Sequence, residues 1–351
     1  MLDPEDGPQP VPRLLAVAHG SKDPRAAATI SALMSLVRER AGKRAAGPAG
    51  TRAAARLADL PGFAVREAFL DHCVPSLAQV LSALAADGVP ALSHAGHGGA
   101  WDPGALRVTE VTIVPLLLTA AYHAATDIPA QLAAASAGLP RLRARQADAL
   151  GPHPLLLAAA ERRLTQAMPP GLPRDRTSVV LAAAGSSDPR ANDQVAALAA
   201  RWQEAGGWRR VVPAYASAAV PAPADAVRAL RDDGAGAPGG GQVVVATYLL
   251  APGYFADKVG HQAREAGASA VSAPLGAAPE VADVVIDRYL EALRGRVPRG
   301  IQARSDGTPG SDAASSARRL LRKSVSWALR ITRTRRGSRG RDDVNTLARE
   351  T

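Results

Sequence analysis

The chain has 351 residues, 47% of them hydrophobic but only 3% aromatic, with one cysteine and a formal net charge of +10 at pH 7. This length suits two ordinary domains with cores of Ala, Val and Leu, while the lone Cys73 excludes an intramolecular disulfide and points to a reducing compartment. After position 296 there are 13 Lys or Arg against 5 Asp or Glu, so a net of +8 sits in the tail and only +2 in the rest, which gives no electrostatic reason to expect a nucleic-acid partner.

Residues 1–12 read as an acidic, proline-containing extension, unlike a secretory signal, and no run approaches the roughly 20 apolar residues of a membrane span. The expectation is a cytoplasmic protein. Strands are predicted at about 13–18, 63–70, 109–117 and 141–146, alternating with helices at about 24–40, 75–87, 127–138 and 154–168. Two stretches interrupt the alternation. Residues 42–61 read as an extended connection, and the insertion 90–102 reads as a glycine-rich surface loop carrying His94 and His97.

Pro169-Pro170-Gly171-Leu172-Pro173 breaks both helix and strand and places a linker at 169–177. Strands then follow at about 178–183, 210–216, 242–250 and 269–273, each with a helix after it. The predicted fold is α/β, with two similar modules, 13–168 and 178–295, each a parallel four-stranded sheet flanked by helices. Residues 296–351 read as a basic, disordered tail. Its stretch 317–331 sets Leu321, Val325 and Ala328 at helical spacing among basic residues, a pattern suited to weak membrane-surface contact.

The two halves carry an internal repeat. Ala18-His19-Gly20-Ser21-Lys22-Asp23-Pro24-Arg25 matches Ala183-Ala184-Gly185-Ser186-Ser187-Asp188-Pro189-Arg190, and Ala68 to Pro75 matches Ala214 to Pro221. Val111 to His123 matches Val243 to Phe255, and Gly151 to Leu155 is set against Ser272 to Gly276. His19, Asp71 and His123 therefore face Ala184, Ser217 and Phe255. The first half keeps three groups able to bind metal or protons, and the second has none of them.

Each of the three lies at or just beyond the C-terminal end of a predicted strand, where open parallel sheets bind ligands. Two imidazoles and a carboxylate suit a divalent first-row metal and leave coordination positions open, as befits an ion that is delivered rather than one that staples a fold. The same groups also serve as acid and base. Asp71 is open to three readings: base, ligand, or cap of the following helix. Ser21 beside His19 lacks the G-x-S-x-G elbow of a hydrolase, and no phosphate-binding loop is present.

The blocks Leu14 to Ser21, Ala68 to Asp71 followed by Pro75-Ser76-Leu77, and Val114 to Leu118 with His123 and Asp127-Ile128-Pro129 together resemble the sirohydrochlorin chelatases. The resemblance spans roughly residues 13–295 and is weaker in the second half. It implies insertion of a divalent metal into sirohydrochlorin, Fe2+ favoured and Co2+ next, for sirohaem or cobalamin synthesis, with no cofactor beyond that metal substrate. It maps the metal-binding histidines onto His19 and His123 and the acidic residue, often glutamate, onto Asp71. Ser21 and Lys22 are assigned to the substrate, Lys22 pairing with its carboxylates. The competing reading is a non-catalytic tetrapyrrole or metal carrier with the same fold.

Overall fold

A computed structural model describes residues 13–46, 65–87, 109–119, 128–136, 138–139, 141–234 and 241–294. The first half forms β1 (Arg13–Ala18), α1 (Pro24–Ala46), β2 (Val65–Phe69), α2 (Leu77–Asp87), β3 (Thr109–Pro115), α3 (Ile128–Ser136), β4 (Leu142–Gln146) and α4 (Pro154–Ala167). A short 3-10 turn, Arg174–Arg176, leads into β5 (Thr177–Ala183), α5 (Pro189–Gly206), β6 (Arg210–Tyr215), α6 (Pro223–Gly234), β7 (Gln242–Tyr248), α7 (Tyr254–Glu265), β8 (Ala270–Val271) and α8 (Pro279–Leu293). The insertion 90–102, His123 and the tail from 296 lie outside the described residues.

Both sheets are parallel and four-stranded, in the orders β2-β1-β3-β4 and β6-β5-β7-β8. This is the α/β architecture expected from the alternation of elements. The central strands are near-continuous apolar runs, Leu14 to Val17 and Val179 to Ala182, fully buried because helices cover both faces. Small side chains suffice for this. In the second sheet Val180, Val212 and Val245 pack on Ala226, Val227, Leu230 and Val259 of α6 and α7.

In each sheet the chain leaves one central strand in one direction and the other in the opposite direction. The resulting switch point lies between the C-terminal ends of β1 and β3 in the first sheet and of β5 and β7 in the second. Those ends carry the loops that begin at His19 and Leu116 and at Ala184 and Leu249.

The compact units are not the two contiguous halves. The first holds the described residues up to Ala159, Leu250–Gly253 and those from Leu275 onward, whereas the second holds Ala160–Leu249 and Tyr254–Pro274. The module expected at 178–295 thus gives its last helix to the first unit. The cause is side-chain complementarity that the strand-helix pattern does not reveal. Asp283 of α8 pairs with Arg40 and, at 3.0 Å, with Arg44 of α1, while Asp287 meets Arg44 at 2.7 Å. Arg288 donates to the carbonyls of Ala149 and Leu150 at 2.8 and 3.1 Å. In the second unit the buried Trp202 indole donates to Glu161, which also pairs with Arg174, and Arg174 lies 4.8 Å over the Trp208 ring.

Two smaller departures from expectation accompany this exchange. Helix α1 runs to Ala46 instead of ending near 40, because Arg40 and Arg44 are held by α8 on either side of Gly42, offsetting the roughly 1 kcal/mol cost of a helical glycine. The last block of the repeat also shifts register. Gly151 donates its N–H to Leu117 O and Gly276 to Leu250 O, while Pro154 and Pro279 open the following helices. Leu150-Gly151 therefore corresponds to Leu275-Gly276, four positions beyond the sequence match. The strand register agrees, since Gln146 pairs with Ile113 and Val271 with Val245, each five residues before its glycine.

Candidate functional site

Strand β1 ends at Ala18, and His19 emerges exposed at its carboxyl end, its Nδ1 3.4 Å from Gly20 O. Gly20 has φ +94, and a Cβ there would collide with the Asp71 carbonyl oxygen, so the close approach of the two loops requires glycine. Ser21 Oγ then accepts from Asp23 N at 3.1 Å, and Asp23 Oδ1 accepts from Arg25 N at 2.9 Å, closing the first turn of α1. The Arg25 guanidinium folds back onto the Asp23 carboxylate and, with the Arg25 amide, holds its carboxyl below the ordinary range. Asp188 and Arg190 repeat this arrangement in the second half. Arg25 is thus a structural partner of Asp23, while Lys22 is exposed and makes no ion pair among the described residues.

The loop after β2 is laced to the His19 loop through the backbone. Leu70 N donates to Ala18 O at 3.0 Å and Asp71 N to His19 O at 2.9 Å. The two assigned residues are therefore neighbours at the ends of adjacent strands. The Asp71 side chain, however, turns to His72, which has φ +61: Oδ1 accepts from His72 N at 2.7 Å, and Oδ2 lies 3.2 Å from His72 Nε2. Both side chains are exposed. This carboxylate–imidazole pair was not read from the sequence, although the adjacent Asp71-His72 dipeptide was visible there.

The reading of Asp71 as a helix cap is overturned. Helix α2 is capped by Ser76 and Gln79, which exchange bonds as a capping box: Ser76 N donates to Gln79 Oε1 at 2.8 Å and Gln79 N to Ser76 Oγ at 3.3 Å. Base and ligand remain as its possible roles. The third residue, His123, and its neighbours 120–127 lie outside the described residues. Strand β3 ends at Pro115 beside β1, with Leu116 N donating to Val17 O at 2.8 Å, so the segment leading to His123 departs from the same switch point as His19. Among the described residues no three His, Cys, Asp or Glu groups converge as a metal site.

In the second unit the same backbone carries different chemistry. Ser217 N and Oγ both reach Ala184 O, at 2.9 and 3.0 Å, where the first unit has Asp71 and His19. Ala218 repeats the positive φ of His72, at +55. Phe255, the counterpart of His123, meets Tyr254 edge to face at 5.4 Å, and both rings are solvent-exposed. The duplicated rim thus has Ala184, Ser217 and Phe255, a methyl, a hydroxyl and a phenyl ring, at the positions that align with His19, Asp71 and His123.

The family model of CbiX matches residues 104–167 and 178–292, just over half of the chain. The chain belongs to the CbiX family of sirohydrochlorin chelatases. The matched stretches take in His123 but neither His19 nor Asp71, and they cover the second half more fully than the first. A Bacillus subtilis (strain 168) protein named sirohydrochlorin ferrochelatase is 27% identical over 188 residues, covering 52% of this chain and 69% of that protein. Two solved chelatase structures share the fold. SirB from Bacillus subtilis with Fe3+ aligns with TM-score 0.60 and 22% identity, covering 81% of this chain and 97% of the other. The cobalt complex of the sirohydrochlorin chelatase SirB from Bacillus subtilis subspecies spizizenii gives 0.56 and 20%, covering 81% and 96%. Among the described residues no helix is long and apolar enough to cross a membrane.

Proposed function

We propose that this CbiX-family chain inserts a divalent metal into sirohydrochlorin, with the ion and the tetrapyrrole as its substrates and no further cofactor. The observation that carries the reading is family membership across both halves; the exposed His19 at the β1/β3 switch point agrees with it. Ferrous ion is the proposed metal, supported by the name of the Bacillus subtilis ferrochelatase, and cobaltous ion is next. The products would serve sirohaem or cobalamin synthesis in the cytoplasm.

Insertion replaces two pyrrole N–H protons by one divalent ion, so the site needs neutral donors for the ion and a base for the protons. His19 and His123 are assigned to the ion. Asp71, steadied by His72 and fixed to His19 through the backbone, is assigned to receive protons, and its exposure lets them pass to water. Lys22 and Ser21 on the first loop are assigned to the substrate's carboxylates.

The test is to mix purified protein with sirohydrochlorin and ferrous or cobaltous ion without oxygen, and to follow the absorbance spectrum against a protein-free control. Acceleration of metalation is expected. No acceleration refutes an enzyme, and tight binding without turnover identifies a carrier.

A further inference from the structure

The first loops of the two units solve one backbone problem with different side chains. Ser21 and Ser186 occupy equivalent turns, and each has a part-buried N–H and C=O that the turn itself does not pair. Such groups need partners, because a buried unpaired amide costs as much as a lost hydrogen bond. In the second unit both are met by one amide on the following helix: Asn192 Oδ1 accepts from Ser186 N at 3.0 Å, and Asn192 Nδ2 donates to Ser186 O at 2.7 Å. In the first unit the position of Asn192 is occupied by Ala27, which can do neither.

There the partner comes from the neighbouring loop instead. Cys73 Sγ donates to Ser21 O at 2.9 Å, and Ser21 N donates to Cys73 Sγ at 3.4 Å. The position of Cys73 is Ala219 in the second unit. Asn with Ala and Ala with Cys are thus reciprocal ways to hold the same two groups, and they differ in what they join. Asn192 ties its loop to its own helix. Cys73 ties the loop bearing His19 to the loop bearing Asp71, and it does so in the unit that carries those two groups.

We infer that Cys73 is a positioning residue that sets the His19 loop against the Asp71 loop by clamping the Ser21 backbone, and that it is neither a metal ligand nor a structural thiol alone. For its effect on metalation the inference rests on the proposed function; for its effect on the loop it does not. The distinguishing experiment transplants the second unit's clamp into the first.

Three full-length variants are compared with the parent: Cys73→Ala, Cys73→Ser, and Cys73→Ala combined with Ala27→Asn. Amide hydrogen exchange at Ser21 reads the clamp directly, binding of Co2+ alone reads His19, and kcat and KM for sirohydrochlorin read the reaction. Cys73→Ala is expected to lose Ser21 protection and to lower kcat by roughly tenfold with KM little changed, the scale of losing one or two modest hydrogen bonds. Cys73→Ser keeps a donor and an acceptor and is expected to remain near the parent. Adding Ala27→Asn to Cys73→Ala is expected to restore both Ser21 protection and most of kcat.

Unchanged Ser21 exchange in Cys73→Ala would overturn the clamp. In the double variant, restored exchange with kcat still lost, or with Co2+ binding abolished as in Cys73→Ala, would show that the thiol acts directly and not through Ser21. A parent without metalation would sink the proposed function, leaving Ser21 exchange and Co2+ binding to decide the clamp.

Discussion

The two sheets share strand order, the geometry of the loops after their first two strands and even the collision that requires glycine at Gly20 and at Gly185, yet they differ in the side chains at the strand ends. Backbone requirements survive in both copies: the glycine, the Asp-Arg turn, and the positive φ at His72 and Ala218. Reactive groups survive in only one. The difference separates what the fold needs from what the chemistry needs, because His19 and Asp71 are replaced by Ala184 and Ser217 on an unchanged backbone and are thus dispensable to folding.

The sharpest way to break this comparison is to remove a reactive group. His19→Ala is expected to lower metalation by on the order of 100-fold or more at unchanged circular dichroism, and His123→Ala to do the same. Activity near the parent in either variant would refute its role. The glycines test the opposite side. Gly20→Ala and Gly185→Ala should each destabilise by on the order of 2 kcal/mol, since both place a Cβ against a carbonyl at positive φ. Urea unfolding should show similar losses in the two variants, with metalation lost beyond that only in the first.

A smaller effect is expected at the helix exchange. Asp283→Ala removes the partner of Arg40 and Arg44 and should cost about 1 to 2 kcal/mol, no more, because both arginines stay partly exposed and can return to water. A melting temperature equal to the parent's would show that α8 docks without help from the Asp283 pairs.

Smaller still is a pH effect at His153, whose Nδ1 accepts from Leu155 N at 3.2 Å at the start of α4. Burial, and then the nearby Arg288 charge, push its pKa below the ordinary 6.5. The unfolded chain therefore takes up this proton at higher pH than the folded one. The contribution is present above about 6.5 and is lost as pH falls below it towards the folded pKa. His153→Asn keeps an acceptor and does not titrate, so its loss of melting temperature between about pH 7.5 and 5.5 should be smaller than the parent's. An identical slope would exclude His153 as the source. The smallest effect should follow deletion of 297–351, with metalation within about twofold of the parent, as expected of a tail bearing no assigned site residue; a large loss would assign the tail a role in the reaction.

The alternation of apolar runs with helical patterns disclosed every strand among the described residues and the two-sheet architecture from residue order alone, most clearly at the central strands, because a strand buried on both faces must be apolar along its length. The internal repeat likewise singled out His19 and Asp71, since an aligned loss is visible without coordinates. Tertiary structure decided the rest: that α8 completes the first unit, that Asp71 turns to His72 while Ser76 and Gln79 cap the helix, and that Cys73 holds Ser21 where Asn192 holds Ser186. These depend on pairings as distant as Arg44 with Asp287 and Ser21 with Cys73. Local periodicity records which face of an element is apolar, but the partner of a polar group is chosen by whatever the folded chain brings within hydrogen-bonding distance.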